Sequence, residues 1–252
     1  VYSHAVETVR QVPVYLETSV KRLCTNAEGE VTGVLAERAG KTVSIRAKKG
    51  VILACGGFEF DERQLVNSIK GSPIYALGSP GNTGDGIRLA QAVGADIWHM
   101  MGCNAPLGIR IPGQLAAANF RCNSPGYILV DRTAQRFVDE KSIEGHAGIL
   151  AVDSYDGRDL LFKRIPCYAI FDHKGLTEGG PICNFASGYF RLIENGGHVW
   201  SRSNMDEVER GWIIQADTVA ELAKKLELDP DTLCKTVDRW NKDAHAGKDP
   251  LV

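Results

Sequence analysis

The chain has 252 residues, of which 44% are hydrophobic and 24% charged, with a formal net charge of −2. That is apolar material enough for a sizeable core, and near-neutral charge leaves no global basic field to attract nucleic acid or an anionic membrane. No apolar run approaches the ~20 residues that a membrane-spanning helix needs. Residues 1–11 read as the end of a helix. Residues 12–23, with Val12, Val14 and Leu16 alternating and Val20 and Leu23 beyond, predict a strand. A turn around Gly29, the run 31–38, a second turn at 39–41 and the run 42–49 predict a β-meander. Val51–Ala54 is short, apolar and β-branched, the pattern of a strand buried on both faces, and it stops at Gly56-Gly57. Helical spacing follows at Leu65, Val66 and Ile69. A glycine- and proline-rich loop covers 78–86, and a second helix, 86–96, has Leu89, Ala90 and Val93 facing inward and Gly94 as its C-cap. Residues 97–102 predict a strand.

From about residue 103 glycine, proline and aromatics spread out, and a domain boundary is placed at 97/98. Residues 127–140 predict a hairpin and 166–172 a strand. Residues 202–211 read as a solvated, capped segment. Two amphipathic helices are expected at 218–226 and 230–247, opening at Asp217-Thr218 and Asp229-Pro230. The cysteines Cys24, Cys55, Cys103, Cys122, Cys167, Cys183 and Cys234 form no C-x-x-C pair, which argues against a disulfide framework or zinc site and fits a reducing, cytoplasmic setting. No metal site is expected. His99, Met100 and Met101 read as packed residues, and His146 as a surface one.

Two glycine-bearing segments carry the chemistry. A strand ending Ala54-Cys55-Gly56-Gly57 lets a cofactor or another backbone approach closely, or is a plain strand-to-turn glycine pair. In Gly81-Asn82-Thr83-Gly84-Asp85-Gly86 the loop runs into a helix N-terminus, where free N–H groups favour an anion. Asp85 either caps that helix or accepts a donor from a ligand. No G-x-G-x-x-G follows a strand near the start, so a complete dinucleotide fold is not visible, and an NAD-dependent Rossmann enzyme is excluded.

Together, the strand ending ACGGF, the intervening helix and SPGNTGDGIRLAQAVGAD resemble the FAD-binding region of the fumarate reductase/succinate dehydrogenase flavoprotein family. RAKKGVILACGGF and GYILVDRTAQRFVDE match it as well. The resemblance implies an α+β fold: an incomplete Rossmann-like FAD-binding part (β-meander, strand and helices, 1–97) and an α+β substrate-capping domain (98–252). It implies FAD contacts at Ala54, Cys55, Gly56, Gly57, Thr83, Gly84 and Asp85, and at the backbone near Val20 for the adenine end. Cys55 stands where threonine is usual, losing a hydroxyl. Asn104 replaces a histidine of the fumarate-reducing branch, and Phe171-Asp172 is followed by His173-Lys174-Gly175-Leu176 without that branch's arginine. Glu140 survives from the R-F-x-x-E stretch, serving a proton path or pairing with Arg136. Tyr168 and Tyr189 are the other candidate acids, Tyr189 within a glycine- and aromatic-rich loop, 179–191.

The expected activity is hydrogen addition or removal across a C–C bond next to an electron-withdrawing group. The partners would be a small-molecule substrate and an electron-donor or acceptor protein. The chain opens on Val1 and lacks the family's first glycine-rich unit, so it is expected to be an internal piece that alone binds FAD weakly or not at all and is inactive. The competing expectation is a non-enzymatic module, derived from a flavoprotein cap, that binds a small molecule or a subunit.

Overall fold

The computed structural model describes residues 4–101, 106–122, 126–143, 147–183 and 200–251. The chain divides into two compact units: one of residues 1–58 with 83–98, the other of 59–82 with 99–252. The single division expected at 97/98 thus becomes three, because the helix after Phe58 and the loop behind it pack with the second unit.

The first unit is built on an antiparallel meander, β1 (Thr18–Thr25), β2 (Val31–Arg38) and β3 (Lys41–Arg46), in the order β1-β2-β3. Its register explains the odd spacing of Val20 and Leu23. Val20 faces Ala36 and Leu23 faces Val34, because a bulge at Lys21 resets the alternation. Leu23, Val34 and Ala36 are the buried residues of this face. The β2–β3 turn has positive φ at both Ala39 and Gly40, the twist that a two-residue hairpin needs. Gly33 is required by packing: a Cβ there would stand 2.3 Å from the Ile45 carbonyl oxygen.

Among the described residues one expected strand is shortened and another is absent. The chain from 12 to 17 stays outside the sheet, since β2 turns away at Arg38, the partner of Thr18, and leaves nothing to pair with. Val51–Ala54 forms no strand, and Ile52 is 93% exposed instead of buried. A strand buried on both faces requires neighbours on both edges, and the described residues supply none. Helix α2 (Asp85–Gln91) packs alongside β1. It ends in a Schellman turn: Gly94 N–H donates to Gln91 O (3.0 Å), Ala95 N–H to Ala90 O (3.1 Å), and Gly94 has φ +94°, as the C-cap reading required.

The second unit mixes short antiparallel pairs with helices. The pairs are β4 (Gly108–Ile109) with β5 (Ala118–Asn119), β6 (Tyr127–Val130) with β9 (Tyr168–Phe171), and β7 (Tyr155–Asp156) with β8 (Leu161–Phe162). The helices are α1 (Glu62–Ser68), α3 (Gly148–Val152), α4 (His173–Glu178), α5 (Met205–Glu209), α6 (Val219–Lys225) and α7 (Pro230–His245). One core cluster joins Ile128, Val130 and Ile170 of the β6–β9 pair to Ala223 of α6, Leu228 of the connection after it and Leu233 of α7. Another gathers Ile111, Ala118, Ile182, Cys183 and Trp200. Thr218 and Asp229 cap α6 and α7 as their sequences predict, accepting from Glu221 N–H (3.2 Å) and Thr232 N–H (2.8 Å). The expected hairpin over 127–140 shrinks to one bridge, Val130 with Arg136, because β6 takes β9 as its ladder partner. Residues 97–101 hold no strand: His99 has φ +53°, a turn follows it, and Met101 is 64% exposed. His99 and Met101 are therefore surface residues, not packed ones.

Candidate cofactor-binding site

The first unit brings the two glycine segments together. Gly84, buried and left-handed at φ +75°, stands at the head of α2 and donates its N–H to Gly57 O at 2.9 Å. Gly56 is also left-handed, at φ +80°. A Cβ on Gly86 would lie 3.4 Å from Cys55 Cβ, so the two segments run nearly in contact. Side chains are thereby kept away from a strip of bare backbone that ends on a helix N-terminus, the kind of surface that accepts phosphate or carbonyl oxygens. The residues fit a nucleotide cofactor.

Asp85 does not cap α2 through its side chain. Gly84 occupies the N-cap position, Asp85 is the first helical residue, and its carboxylate pairs with Arg88. The Thr83 hydroxyl donates to the same carboxylate at 3.3 Å, while Arg88 also donates to Thr83 O at 2.7 Å. This triad stiffens the loop where it enters the helix. A cleft of about 250 Å³ lies on this unit, lined in part by Leu53, Cys55, Gly56, Gly86, Ile87 and Ala90. Small-molecule sites commonly run from about 300 to 1,000 Å³, so this cleft would hold a portion of a dinucleotide. Ala54 and Cys55 are exposed, and Val20 lies on β1 of the same unit, 39% exposed.

The candidate acids are placed differently. Glu140 is 5% exposed and fully engaged. Its Oε1 accepts from Leu129 N–H at 2.7 Å and from Arg136 Nε at 3.1 Å, and its Oε2 from Arg136 Nη2 at 2.6 Å. Of the two readings for Glu140, the geometry is that of pairing with Arg136. Tyr168 sits on β9 opposite Val130 and packs against the core under α6 and α7. Tyr189, Asn104 and His146 lie outside the described residues.

Asn204 and Glu207 are fully buried in the stretch that reads as solvated in the sequence. Asn204 accepts from Ile182 N–H (3.0 Å) and Trp200 Nε1 (2.7 Å), and donates to Leu176 O (2.6 Å) and Gly180 O (3.0 Å). Glu207 accepts from Ser201 N–H at 2.9 Å and from the Ser201 hydroxyl. Asparagine tolerates the left-handed φ of +60° found at 204. That conformation at the head of a short helix was the one local signal available. Burial pushes the Cys183 thiol up to about 12, with Glu207 adding to it, and burial raises Cys167 to about 11. Among the described residues no group of His, Cys, Asp and Glu could hold a metal ion. No helix of the described residues is long and apolar enough to cross a membrane.

A helix-and-sheet scaffold presenting a glycine junction at a helix head suits a nucleotide cofactor, and residues 2–251 match the FAD binding domain family. The chain belongs to that family, within the fumarate reductase/succinate dehydrogenase flavoprotein group. It is 33% identical to a 3-oxosteroid 1-dehydrogenase of Mycobacterium tuberculosis over 94% of this chain and 41% of the relative. It is 29% identical to a 4-oxocyclohexanecarboxylate 2-dehydrogenase of Sinomonas cyclohexanicum over 88% of this chain and 36% of that one. Among solved structures it resembles 3-ketosteroid delta1-dehydrogenase from Sterolibacterium denitrificans in complex with 1,4-androstadiene-3,17-dione. The TM-score is 0.77 and the identity 27%, over 97% of this chain and 42% of that one. The chain therefore spans about two fifths of the length of the relatives it matches.

Proposed function

We propose that the chain forms part of an FAD-dependent oxidoreductase that adds or removes hydrogen across a C–C bond beside an electron-withdrawing group. The observation that carries this reading is the junction of Gly57 and Gly84, with Gly56 left-handed and Gly86 against Cys55. Ala54, Cys55, Gly56, Gly57, Thr83, Gly84 and Asp85 would hold the flavin nucleotide, with the Val20 backbone toward the adenine end. FAD, when bound, supplies the hydride chemistry. The first unit is then the incomplete Rossmann-like part, and the second, 59–82 with 99–252, supplies the cap that covers the substrate and excludes water.

The substrate class that best fits is a cyclic oxo compound. Both named dehydrogenase relatives act on one, and the sequence lacks the arginine after Phe171-Asp172 that the fumarate branch carries. Of the candidate acids, Glu140 and Tyr168 are committed to the fold, which leaves Tyr189 as the proton-handling candidate. An electron-acceptor or donor protein completes the proposed set of partners.

The chain alone is expected to bind FAD weakly, since its sequence holds no G-x-G-x-x-G to grip a pyrophosphate and its cleft is small. The test is flavin absorbance of the purified chain after incubation with FAD, beside a version extended upstream to the next glycine-rich strand–helix unit. Yellow protein from the extended version alone supports the reading. No flavin in either would sink it and favour a non-enzymatic binding module. Stoichiometric flavin in the short chain would overturn the weak-binding expectation.

A further inference from the structure

The segment that follows α7 is held by an unusual means. From Ala244 to Leu251 every residue is exposed except Asp249, and Leu251, the one large apolar side chain there, is 45% exposed. Apolar burial therefore does not fix it. Backbone bonds from Gly247 N–H to Ala244 O and Lys248 N–H to Asp243 O close the helix end, but they reach no other element. The only long-range tie in the described structure of this segment is Asp249 to Arg136, 113 residues away: Nη1 donates to Oδ1 at 2.7 Å and Nη2 to Oδ2 at 2.8 Å.

Arg136 is built to receive it. Its side chain is 9% exposed, its other edge is taken by Glu140, and its guanidinium lies 4.2 Å from the centre of the Trp240 ring on α7. Glu140 in turn holds Leu129 of β6. A planar cation that presents one fork to each of two carboxylates and a face to an indole is held in a fixed orientation before the second carboxylate arrives.

We propose that Arg136, oriented by Glu140 and Trp240, forms a carboxylate-binding latch in which Asp249 is the built-in ligand, and that this latch holds the segment after α7 onto β6. The latch is separable from the fold beneath it. Removing Asp249 frees two donors of Arg136, while Glu140 continues to hold Leu129. Removing Arg136 instead leaves the buried Glu140 carboxylate beside the half-buried one of Asp249 and is expected to destabilise the unit strongly, so Asp249 is the informative position.

The experiment is amide hydrogen exchange on the 252-residue chain, with Asp249→Asn and Asp249→Ala variants, each with and without sodium acetate at constant ionic strength. The latch predicts that exchange at Gly247 and Lys248, whose N–H groups bond to Ala244 O and Asp243 O, not to Asp249, rises roughly tenfold or more in both variants, the scale of a lost charge-assisted pair, while Leu129 stays protected. It also predicts that acetate raises the thermal midpoint of Asp249→Ala, by refilling the fork, and leaves the wild type unchanged. Unaltered exchange at Gly247 and Lys248 would overturn the latch. Tail opening without any acetate effect would overturn the preformed carboxylate site.

Discussion

At the scale of single residues, burial decides which groups are structural. Asn204 uses all four of its side-chain hydrogen-bonding positions at zero exposure. Asn204→Ala would strand Ile182 N–H and the Leu176 and Gly180 carbonyls, buried or half-buried, each costing about 1 kcal/mol when unpaired. We expect a loss of roughly 3 kcal/mol in denaturant unfolding, and a value under about 1 kcal/mol would show that water replaces the amide. The cysteines divide in the same way. Cys183, buried and with its thiol near 12, and Cys167, near 11, should resist iodoacetamide in the folded chain, whereas Cys55 is exposed and should be labelled first. In an FAD-competent extended version, FAD should slow the labelling of Cys55. Equal rates with and without flavin would remove that residue from the cofactor site.

At the scale of elements, what was legible depended on how local the cause is. The caps of α6 and α7 and the Schellman turn of α2 were readable because Thr218, Asp229 and Gly94 act within a single turn of chain. The meander was readable from its turns and alternation. Residues 51–54 were misread because an apolar run records only that it could be buried, while a strand also needs partners that no local pattern reports. Asp249 gave no signal, since its partner is 113 residues away. Arg136, Glu140 and Asp249 yield a pH prediction at this scale. The hydrogen bonds from Arg136, working against desolvation, hold the Asp249 carboxyl below its ordinary range. Desolvation opposes charge on Arg136 too, but its bonds to Asp249 and Glu140 outweigh that and keep its pKa raised. A carboxyl with a depressed folded pKa stabilises fully above its unfolded value of about 3.9 and loses that contribution as pH falls through the folded one. Thermal midpoints of the wild type and Asp249→Asn should therefore differ at pH 6 and converge as pH drops below about 4. A constant difference down to pH 2.5 would contradict the assignment.

At the scale of the whole molecule, the first unit carries many of the large apolar side chains that the fold leaves exposed. Ile52 is 93% exposed, Leu16 75%, Val9 65% and Val12 50%, and the backbone of 51–56 lies in no ladder of the described residues. Apolar side chains left in water at about 25 cal/mol per Å², beside unladdered extended backbone, are a site for association. The relatives it matches run to more than twice the chain's length, so the proposal of a larger flavoenzyme supplies a physical use for this surface: further elements would cover it. The 252-residue chain should bind an apolar dye such as anilinonaphthalene sulfonate and sediment as concentration-dependent oligomers. Ile52→Lys should reduce both without lowering the thermal midpoint, because that side chain packs against little in the isolated chain. The upstream-extended version should show neither behaviour. If that version still binds the dye and self-associates, the exposed run is not a seam with missing elements but a surface for another partner, and the non-enzymatic reading gains from it.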